Sequence, residues 1–325
     1  MSIFRTLPAA LLGLVLGGAC LAAELPALKV ANQKSTIKVL LQVSGQLEHL
    51  PYPIEFSEFP AAAPLGEALN AGAVDVGALG DAPYVFALGA GAPLKVVGIT
   101  HLEGRYTTAL LVPKDSPIRQ VSDLKGKRIV TTKGSIGHLL AIKALQQAGL
   151  TSHDVSFAFL MPSESRVVLE NGSVDAWSTW DPYTTVATAQ GQERVLISGA
   201  QLLSNHLYLA ATSTAIAGKR AQLDDFVARV DRAWQWVNGH PQEYASAMAK
   251  VTGLPVSVHL AAAQNTHMQR TLIDDGVVQG LQRTADLYLA EGILTKPVDV
   301  SRGFDASFNT SAAGRAEGAA TASNP

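Results

Sequence analysis

The sequence predicts an α/β protein of two lobes, in which each lobe is a mainly parallel sheet flanked by helices. Short apolar segments of strand length alternate with helical segments up to about residue 213, as in proteins with parallel sheets. Two segments of closely similar sequence occur at 69–75 and 169–175. After five further residues, each is followed by a turn that begins with aspartate and contains proline. Because the order of elements around the copies also matches, we assign one copy to each lobe.

The first lobe begins with strand and helix signals of several kinds. Ser35 is a candidate N-cap, residues 54–59 alternate apolar with acidic side chains as a half-buried strand does, and Gly72 and Gly89 are helix stops. The predicted strands of this lobe are 27–32, 54–59, 74–79 and 94–100, and its predicted helices are 35–47, 64–71 and 82–88.

The second lobe repeats the same order of strand and helix signals. Lys133-Gly134-Ser135 leads a helix that Gly149 ends, and a turn at 181–183 follows the second copy of the repeated segment. The predicted strands are 109–112, 128–132, 155–160, 174–179 and 195–198, and the predicted helices are 136–148, 164–170 and 183–189.

The last third of the chain reads as one extended segment, 207–213, followed by helices and no further strand. The predicted helices are 221–237, 243–252, 256–264 and 274–291, and the first of them is amphipathic. We expect these helices to pack on the first lobe, so that lobe I comprises 24–107 plus 205–310 and lobe II comprises 108–204. The chain then crosses between the lobes twice, near 105–110 and near 204–210, and the two crossings form a two-stranded hinge.

The two ends of the chain read as parts outside the folded domains. Arg5 precedes an apolar run, 7–20, of signal-peptide length, and cleavage near Ala23 would remove residues 1–23. Lipidation of Cys20 is the alternative, but Gly17 fits a lipobox poorly, and soluble export is preferred. Residues 311–325 are mostly alanine, glycine, serine and threonine, which predicts a disordered tail.

The composition excludes several classes of function. Charged residues are 16% of the chain and the net charge is −2, so no nucleic-acid surface is indicated. The single cysteine, Cys20, leaves no internal disulfide, and the eight histidines show no metal-ligand spacing. The nucleophile elbow, the P-loop and the Cys-x-x-Cys motif are missing, and Leu94 stands where a dinucleotide fingerprint needs its third glycine. The sequence therefore indicates no catalytic residue, metal or cofactor.

Four corners where strands end and helices begin are the candidate ligand site. They are 33–35, 80–84, 133–135 and 180–183, and each turns free backbone N–H groups and a positive helix end toward the carboxyl edge of a sheet. That arrangement suits an anion.

Structural interpretations compete with each of these assignments. Asp81 and Asp181 are candidate N-caps as well as candidate ligand contacts, and the two roles are compatible. Trp177, Trp180 and Tyr84 are candidate pocket residues or ordinary core. Lys34 and Lys133 attract an anion or are simply solvated, and His138 is a possible supporting residue behind Ser135.

With these residues in place, the chain resembles the substrate-binding proteins of ABC importers, and it is most similar to the aliphatic-sulfonate branch of the sulfonate, nitrate and taurine group. The resemblance covers about residues 28–290. The segments that carry it are Asn32–Ser35, Glu67–Gly72, Gly80–Pro83, Gly91–Leu94, Leu111–Ile118, Asp123–Lys127, Lys133–Ser135, Val174–Trp177 and Trp180–Tyr183.

The resemblance implies a two-lobed periplasmic-binding-protein fold of type II, which closes on its ligand and delivers it to a membrane permease with its ATPase. It implies ligand-facing positions at Gln33, Gly80, Asp81, Ala82, Ser135, Trp177, Trp180 and Asp181, to which we add Tyr84. The sequence departs from the family at Asn32, where tyrosine is frequent, at Tyr84, where a second proline is frequent, and at 134–138. These departures leave the organic part of the ligand open.

The expected function is therefore the capture of an aliphatic sulfonate by a monomeric periplasmic protein. Taurine, nitrate, an aromatic sulfonate and a thiamine-type pyrimidine are the alternative ligands. An enzyme of the desulfinase type, which shares the fold, needs a cysteine nucleophile, and the only cysteine here lies in the predicted signal peptide.

Overall fold

The computed structural model describes residues 25–105 and 107–310, and the predicted signal peptide and C-terminal tail lie outside the described residues. The strands are β1 (Leu28–Gln33), β2 (Ile54–Phe59), β3 (Val76–Gly80), β4 (Leu94–Gly104), β5 (Thr108–Pro113), β6 (Arg128–Thr131), β7 (Ser156–Phe159), β8 (Ala176–Trp180), β9 (Glu193–Ser198), β10 (His206–Thr212) and β11 (Thr266–Thr271). The helices are α1 (Thr36–Val43), α2 (Ala62–Asn70), α3 (Asp81–Gly89), α4 (Ile136–Gln147), α5 (Pro162–Glu170), α6 (Tyr183–Gln190), α7 (Ser213–Gly218), α8 (Arg220–Gly239), α9 (Pro241–Thr252), α10 (Val256–Gln264) and α11 (Asp275–Ala290).

The strands form two mixed sheets. The first has the order β11-β4-β10-β3-β1-β2 and the second has the order β7-β6-β8-β5-β9. In the second sheet only β5 runs against the other strands. In the first sheet β10 and β11 run against the other four. Most strands of each sheet therefore share one direction, as predicted.

The chain passes between the sheets twice. It leaves the first sheet after Gly104 and enters the second at Thr108, and it leaves the second after Ser198 and returns at His206. The two crossings touch each other, because the Ser198 hydroxyl donates a hydrogen bond to the Arg105 carbonyl. Every strand of the first sheet lies within the expected lobe I ranges and every strand of the second within lobe II. The exact lobe boundaries stay a prediction.

The expectation that no strand follows residue 213 is wrong. Strand β11 pairs antiparallel with β4 at the edge of the first sheet. Its sequence, THMQRT, is polar because only one face is covered, with Thr266 and Met268 buried. The side chain of Asn238 holds the strand in place by accepting from the Met268 N–H at 3.0 Å and donating to the Met268 carbonyl at 2.7 Å. Helix α7 and residues 101–104 of β4 were also absent from the predicted elements.

Helices cover both faces of each sheet. In the first lobe α1, α8 and α9 pack on one face, and α3 and α11 pack on the other. In the second lobe α4 lies on one face, and α5 and α6 lie on the other. Helix α4 also packs against α3 and shares one hydrophobic cluster with α3 and α11, so this cluster joins the two lobes.

Candidate functional site

The turns that follow the two copies of the repeated segment, at 80–84 and 180–183, are called the twin turns. The first connects β3 to α3 and carries Asp81. This side chain is only 1% exposed, and it does not cap the helix, whose N-cap is Gly80. The Ser204 hydroxyl instead donates to both carboxylate oxygens, at 2.7 and 2.8 Å. The N-cap assignment of Asp81 is therefore wrong, because its carboxylate binds the second interlobe crossing rather than its own helix.

Burial is the largest influence on the Asp81 carboxyl, and it raises the pKa of that group above its ordinary value. Hydrogen bonds from Ser204 and Tyr208 act in the opposite direction, as do the positive charges of His206 and Lys143. Lys143 lies on α4 of the second lobe, so the first turn interacts electrostatically with both the crossing and the opposite lobe.

Replacement of Ser204 with Ala should lower the free energy of unfolding by about 1–3 kcal/mol, since the buried Asp81 carboxylate loses the hydroxyl that donates to both of its oxygens. Urea denaturation of both proteins measures the difference. The matched control is Ser213→Ala, because the exposed Ser213 hydroxyl donates only to the Pro93 carbonyl. An equal loss in both variants would contradict a special role for the Asp81–Ser204 contact.

The second twin turn connects β8 to α6 and carries Asp181. Its Oδ1 accepts from the Thr185 N–H at 3.0 Å, from the Thr185 hydroxyl at 2.8 Å, and from the Thr184 hydroxyl. The N-cap of α6 is Pro182, so the prediction that Asp181 is the N-cap is wrong by one position, although its carboxylate does accept from an N–H of the first turn of the helix. Burial raises the pKa of its carboxyl, while these hydrogen bonds lower it.

Both twin turns are attached to the crossings, each to a different one. The Asp181 N–H donates to the Thr107 carbonyl of the first crossing at 2.9 Å, whereas Asp81 binds Ser204 of the second crossing. The strands that precede the turns also flank the crossings, since Trp180 pairs with Thr108 and Gly80 pairs with Leu207. The turns therefore lie where the lobes meet, and a change in the angle between the lobes would move both.

The corner at 33–35 is organised by a residue that the sequence interpretation did not recognise. Ser35 has φ 60° and makes no capping hydrogen bond. Asn32, fully buried, caps α1 instead: its Oδ1 accepts from the N–H groups of Ile37 at 2.9 Å and Lys38 at 3.3 Å. Gln33 is half-buried at the end of β1, at the same sheet edge as Gly80 because β1 and β3 are parallel neighbours.

The corner at 133–135 begins α4 as predicted. The Ser135 hydroxyl accepts from the His138 N–H at 3.2 Å, which makes Ser135 the N-cap. The first backbone N–H groups of the helix, beginning at Ile136, have no acceptor within it and remain available to an anion. Gly134 lies against the Phe86 ring, 3.0 Å from where a Cβ would stand, so this corner of the second lobe faces α3 of the first.

His138 is buried behind this corner among aromatic rings of both lobes. Its ring centroid lies 5.1 Å from those of Phe157 and Phe159, and 6.2 Å from that of Tyr288. Burial lowers the pKa of His138 to about 4, and the positive charge of Lys133 acts in the same direction. The imidazole is therefore neutral at pH 7, and its Nδ1 accepts from the Gly134 N–H at 3.3 Å.

This histidine predicts a loss of stability in acid. Between its ordinary pKa of 6.5 and its folded pKa of about 4, the unfolded chain binds a proton that the folded chain does not. Stability is therefore retained above pH 6.5 and falls toward pH 4, by about 3 kcal/mol from this residue. Urea denaturation at several pH values should show a shallower fall for His138→Asn, which keeps an acceptor. The exposed His153→Gln is the control, and an unchanged pH profile in His138→Asn would contradict the assignment.

Two expected pocket residues are core residues in the structure. Tyr84 is fully buried, and its hydroxyl donates to the Gly303 carbonyl while its ring packs beside Tyr208 and Phe304. Trp177 is 1% exposed in the cluster beneath α5 and α6. Their side chains are therefore removed from the candidate contacts. Ala82 is also fully buried with the lobes as they stand, and because its side chain is a methyl group, its backbone N–H is the one group that it can offer to an anion.

Trp180 remains a candidate contact. Its side chain is half-buried at the end of β8, edge-on to the Tyr183 ring at a centroid distance of 6.1 Å. With Gln33, Gly80 and Ser135, it completes a set of partly accessible residues at strand ends of both lobes. Within residues 25–105 and 107–310, no group of three or more His, Cys, Asp or Glu side chains is placed to hold a metal ion.

Comparison with known proteins decides the family. A family model described as NMT1/THI5 like matches residues 59–244. A protein of Escherichia coli (strain K12), named for the binding of aliphatic sulfonates, is 37% identical over 281 residues, which are 84% of this chain and 87% of that protein. The chain belongs to the aliphatic sulfonate-binding protein family. The resemblance stated from the sequence is confirmed.

Solved structures of this family have the same fold. The periplasmic aliphatic sulphonate binding protein SsuA from Escherichia coli superposes with a TM-score of 0.79 at 33% identity, over 85% of this chain and 91% of that one. The alkanesulfonate-binding protein SsuA from Xanthomonas axonopodis pv. citri, bound to MOPS, gives 0.78 at 32% identity, over 87% and 99%. The predicted two-lobed periplasmic-binding-protein fold is confirmed. In the described part of the chain, no helix has the length and apolar character to cross a membrane.

Proposed function

We propose that this protein is the extracytoplasmic substrate-binding component of an ABC importer and captures aliphatic sulfonates between its two lobes. The observation that carries the proposal is the attachment of each twin turn to one interlobe crossing, through Asp81 to Ser204 and through Asp181 to Thr107. Closure of the lobes then moves both turns together around a ligand. The ligand class is taken from the relatives, which are named for the binding of aliphatic sulfonates.

The sulfonate is held by backbone amides rather than by the aspartates. An anion next to a buried carboxylate is repelled, and the Asp81 carboxylate already accepts from Ser204. Asp81 and Asp181 therefore shape the turns, while the N–H groups of the turn 80–82 and of the start of α4 donate to the sulfonate oxygens. A sulfonate keeps its charge at every physiological pH, so such donors suffice without a titrating partner.

Side chains at the same edges complete the contact set. Ser135 and Gln33 add polar groups, and Trp180 covers the organic part of the ligand. Trp180 is the one large aromatic residue of the original set that remains partly accessible. The Trp180→Ala variant should therefore change the relative affinities for sulfonates with different organic tails more than it changes the affinity for ethanesulfonate. Calorimetric titration measures both.

The cellular setting follows from the export signal and the family. Residues 1–23 are proposed to direct soluble export to the periplasm, with lipidation of Cys20 as the less favoured route. A membrane permease and its ATPase are the proposed partners, and the protein acts as a monomer. It is proposed to bind rather than to catalyse, since the mature chain lacks the cysteine that a desulfinase-type reaction requires.

Isothermal calorimetry of the mature protein tests the ligand class. The panel contains ethanesulfonate, butanesulfonate, taurine, nitrate, sulfate and butyrate. We expect the two alkanesulfonates to bind at least about tenfold more tightly than butyrate, because a sulfonate offers a third oxygen to the converging donors. Selective binding of nitrate or taurine would replace the ligand assignment with that anion, and binding of none would overturn the proposal.

A further inference from the structure

A small aromatic cavity lies beside the start of α4, between the two lobes. Its volume is about 300 Å³, at the lower end of the range for small-molecule pockets. The second lobe contributes Lys133, His138, Phe157 and Phe159 to its lining, and the segment after α11 contributes Ile293. The Lys133 position is two residues before Ser135, so the cavity adjoins the amides proposed to hold the sulfonate.

The aromatic side chains of the cavity form an ordered wall. The rings of Phe157 and Phe159 are parallel within 8°, with centroids 5.9 Å apart. The His138 ring stands edge-on to both, at 78° and 77°. Phe159 is 42% exposed, so its neighbours in the wall leave part of its ring uncovered. A flat ring entering the cavity would cover this exposed face.

The charge around the cavity favours an anion. Lys133 is the charged side chain of the lining, and its Nζ lies 5.9 Å from the centre of the Phe159 ring. His138 is neutral at pH 7, as described above. Glu291, which precedes the lining residue Gly292, accepts from both the backbone N–H, at 3.1 Å, and the hydroxyl of the lining residue Ser152. Among the described residues, Lys133 and Glu291 form no ion pair with each other.

We propose that this cavity is the tail subsite of the sulfonate site, that it takes the flat ring of an arylalkanesulfonate, and that Phe159 determines this specificity. The inference rests on the proposed function, because the sulfonate itself is placed at the start of α4. The aliphatic carbons adjoining the sulfonate span the distance from the helix to the cavity. The aryl ring then stacks against Phe159 while Lys133 remains beside the anionic end.

Calorimetry with two ligands tests this proposal. The wild-type protein should bind 2-phenylethanesulfonate about 5-fold to 20-fold more tightly than ethanesulfonate. In Phe159→Ala most of that advantage should disappear, while the ethanesulfonate affinity changes less than about twofold. Phe159→Leu should lie between them, because it keeps apolar volume without a ring. The control is Val167→Ala, an apolar residue 58% exposed on α5 of the same lobe, which should change neither affinity.

The outcomes separate this proposal from the one it rests on. Binding of ethanesulfonate without any preference for the phenyl ligand overturns the tail subsite and leaves the proposed function intact. An equal loss of both ligands in Phe159→Ala, with retained folding by circular dichroism, overturns the specificity role. Failure of the wild-type protein to bind either sulfonate overturns both proposals together.

Discussion

Replacement of Trp177 with Ala lowers the free energy of unfolding by about 3–5 kcal/mol, the usual cost of deleting a large buried aromatic side chain. The indole is 1% exposed and packs in a cluster that includes Leu169, Val174 and Ala187. The side chains around the cavity left behind can relax only partially, because they belong to the strands and helices of the packed cluster on the far side of the sheet from α4. Urea denaturation followed by circular dichroism measures the loss.

The matched control is the same substitution three residues later. Trp180 is half-buried at the strand end, so Trp180→Ala should cost less than about 1.5 kcal/mol and instead change the preference among sulfonates. The two variants thus separate a core role from a ligand role. A Trp177 variant that stays stable but changes its sulfonate preference would restore Trp177 to the binding site.

Replacement of Gly137 with Ala has an effect of similar size through a clash rather than a cavity. A Cβ at this position would lie 2.6 Å from the Ser178 carbonyl oxygen and 3.0 Å from its carbon, both backbone atoms of β8. Helix α4 must therefore move away from the sheet, and about 2–4 kcal/mol of stability should be lost. Because the start of α4 is proposed to hold the sulfonate, ethanesulfonate affinity in calorimetry should fall as well.

Gly280 provides the opposite case in another helix. It lies inside α11, and the nearest atom to an added Cβ is the flexible Arg283 guanidinium at 3.7 Å. Gly280→Ala should therefore raise the free energy of unfolding by about 0.5–1 kcal/mol, as expected for a helix interior. A destabilised Gly280→Ala would contradict the gain expected in a helix interior, and a Gly137→Ala protein of unchanged stability would show that the close approach of α4 to β8 is not limiting.

The sequence predicted the features that local rules govern. The repeated segment contains a glycine that ends a helix in each lobe, and Gly72 and Gly172 indeed have φ of +67° and +75°. Ser135 is the N-cap expected of it, and Asp181, one residue before the N-cap Pro182, accepts from the first turn of α6, because both contacts lie within a few residues along the chain. Such signals are short-range and can be read without knowing the tertiary structure.

The features that the sequence did not predict depend on distant partners. Asp81 has the same local surroundings as Asp181, yet its carboxylate binds Ser204, 123 residues later. Tyr84 follows a proline at a turn, as a pocket residue would, but its hydroxyl reaches the Gly303 carbonyl, 219 residues later. The twin turns both lead from a strand into a helix, but α3 begins at Asp81 itself whereas α6 begins two residues after Asp181, and the two aspartates bind different partners.

Side-chain partners on neighbouring strands and helices also lie behind two features that the sequence did not predict. The buried Asn32 caps α1 only because the Glu58 carboxylate, on β2, accepts from its Nδ2 at 2.6 Å and from the Ser35 N–H at 3.0 Å. The strand β11 likewise depends on Asn238 of α8. An asparagine at a strand end, five residues before a helical N–H, is the signal that would have identified the Asn32 cap.

A crystal structure of the protein grown with ethanesulfonate tests the central claim most directly. The account predicts the sulfonate between the lobes, with its oxygens within hydrogen-bond distance of backbone N–H groups at the start of α4 and in the turn 80–82, and with Asp81 still bound to Ser204. A sulfonate that contacts one lobe only, or that binds away from both twin turns, would contradict it.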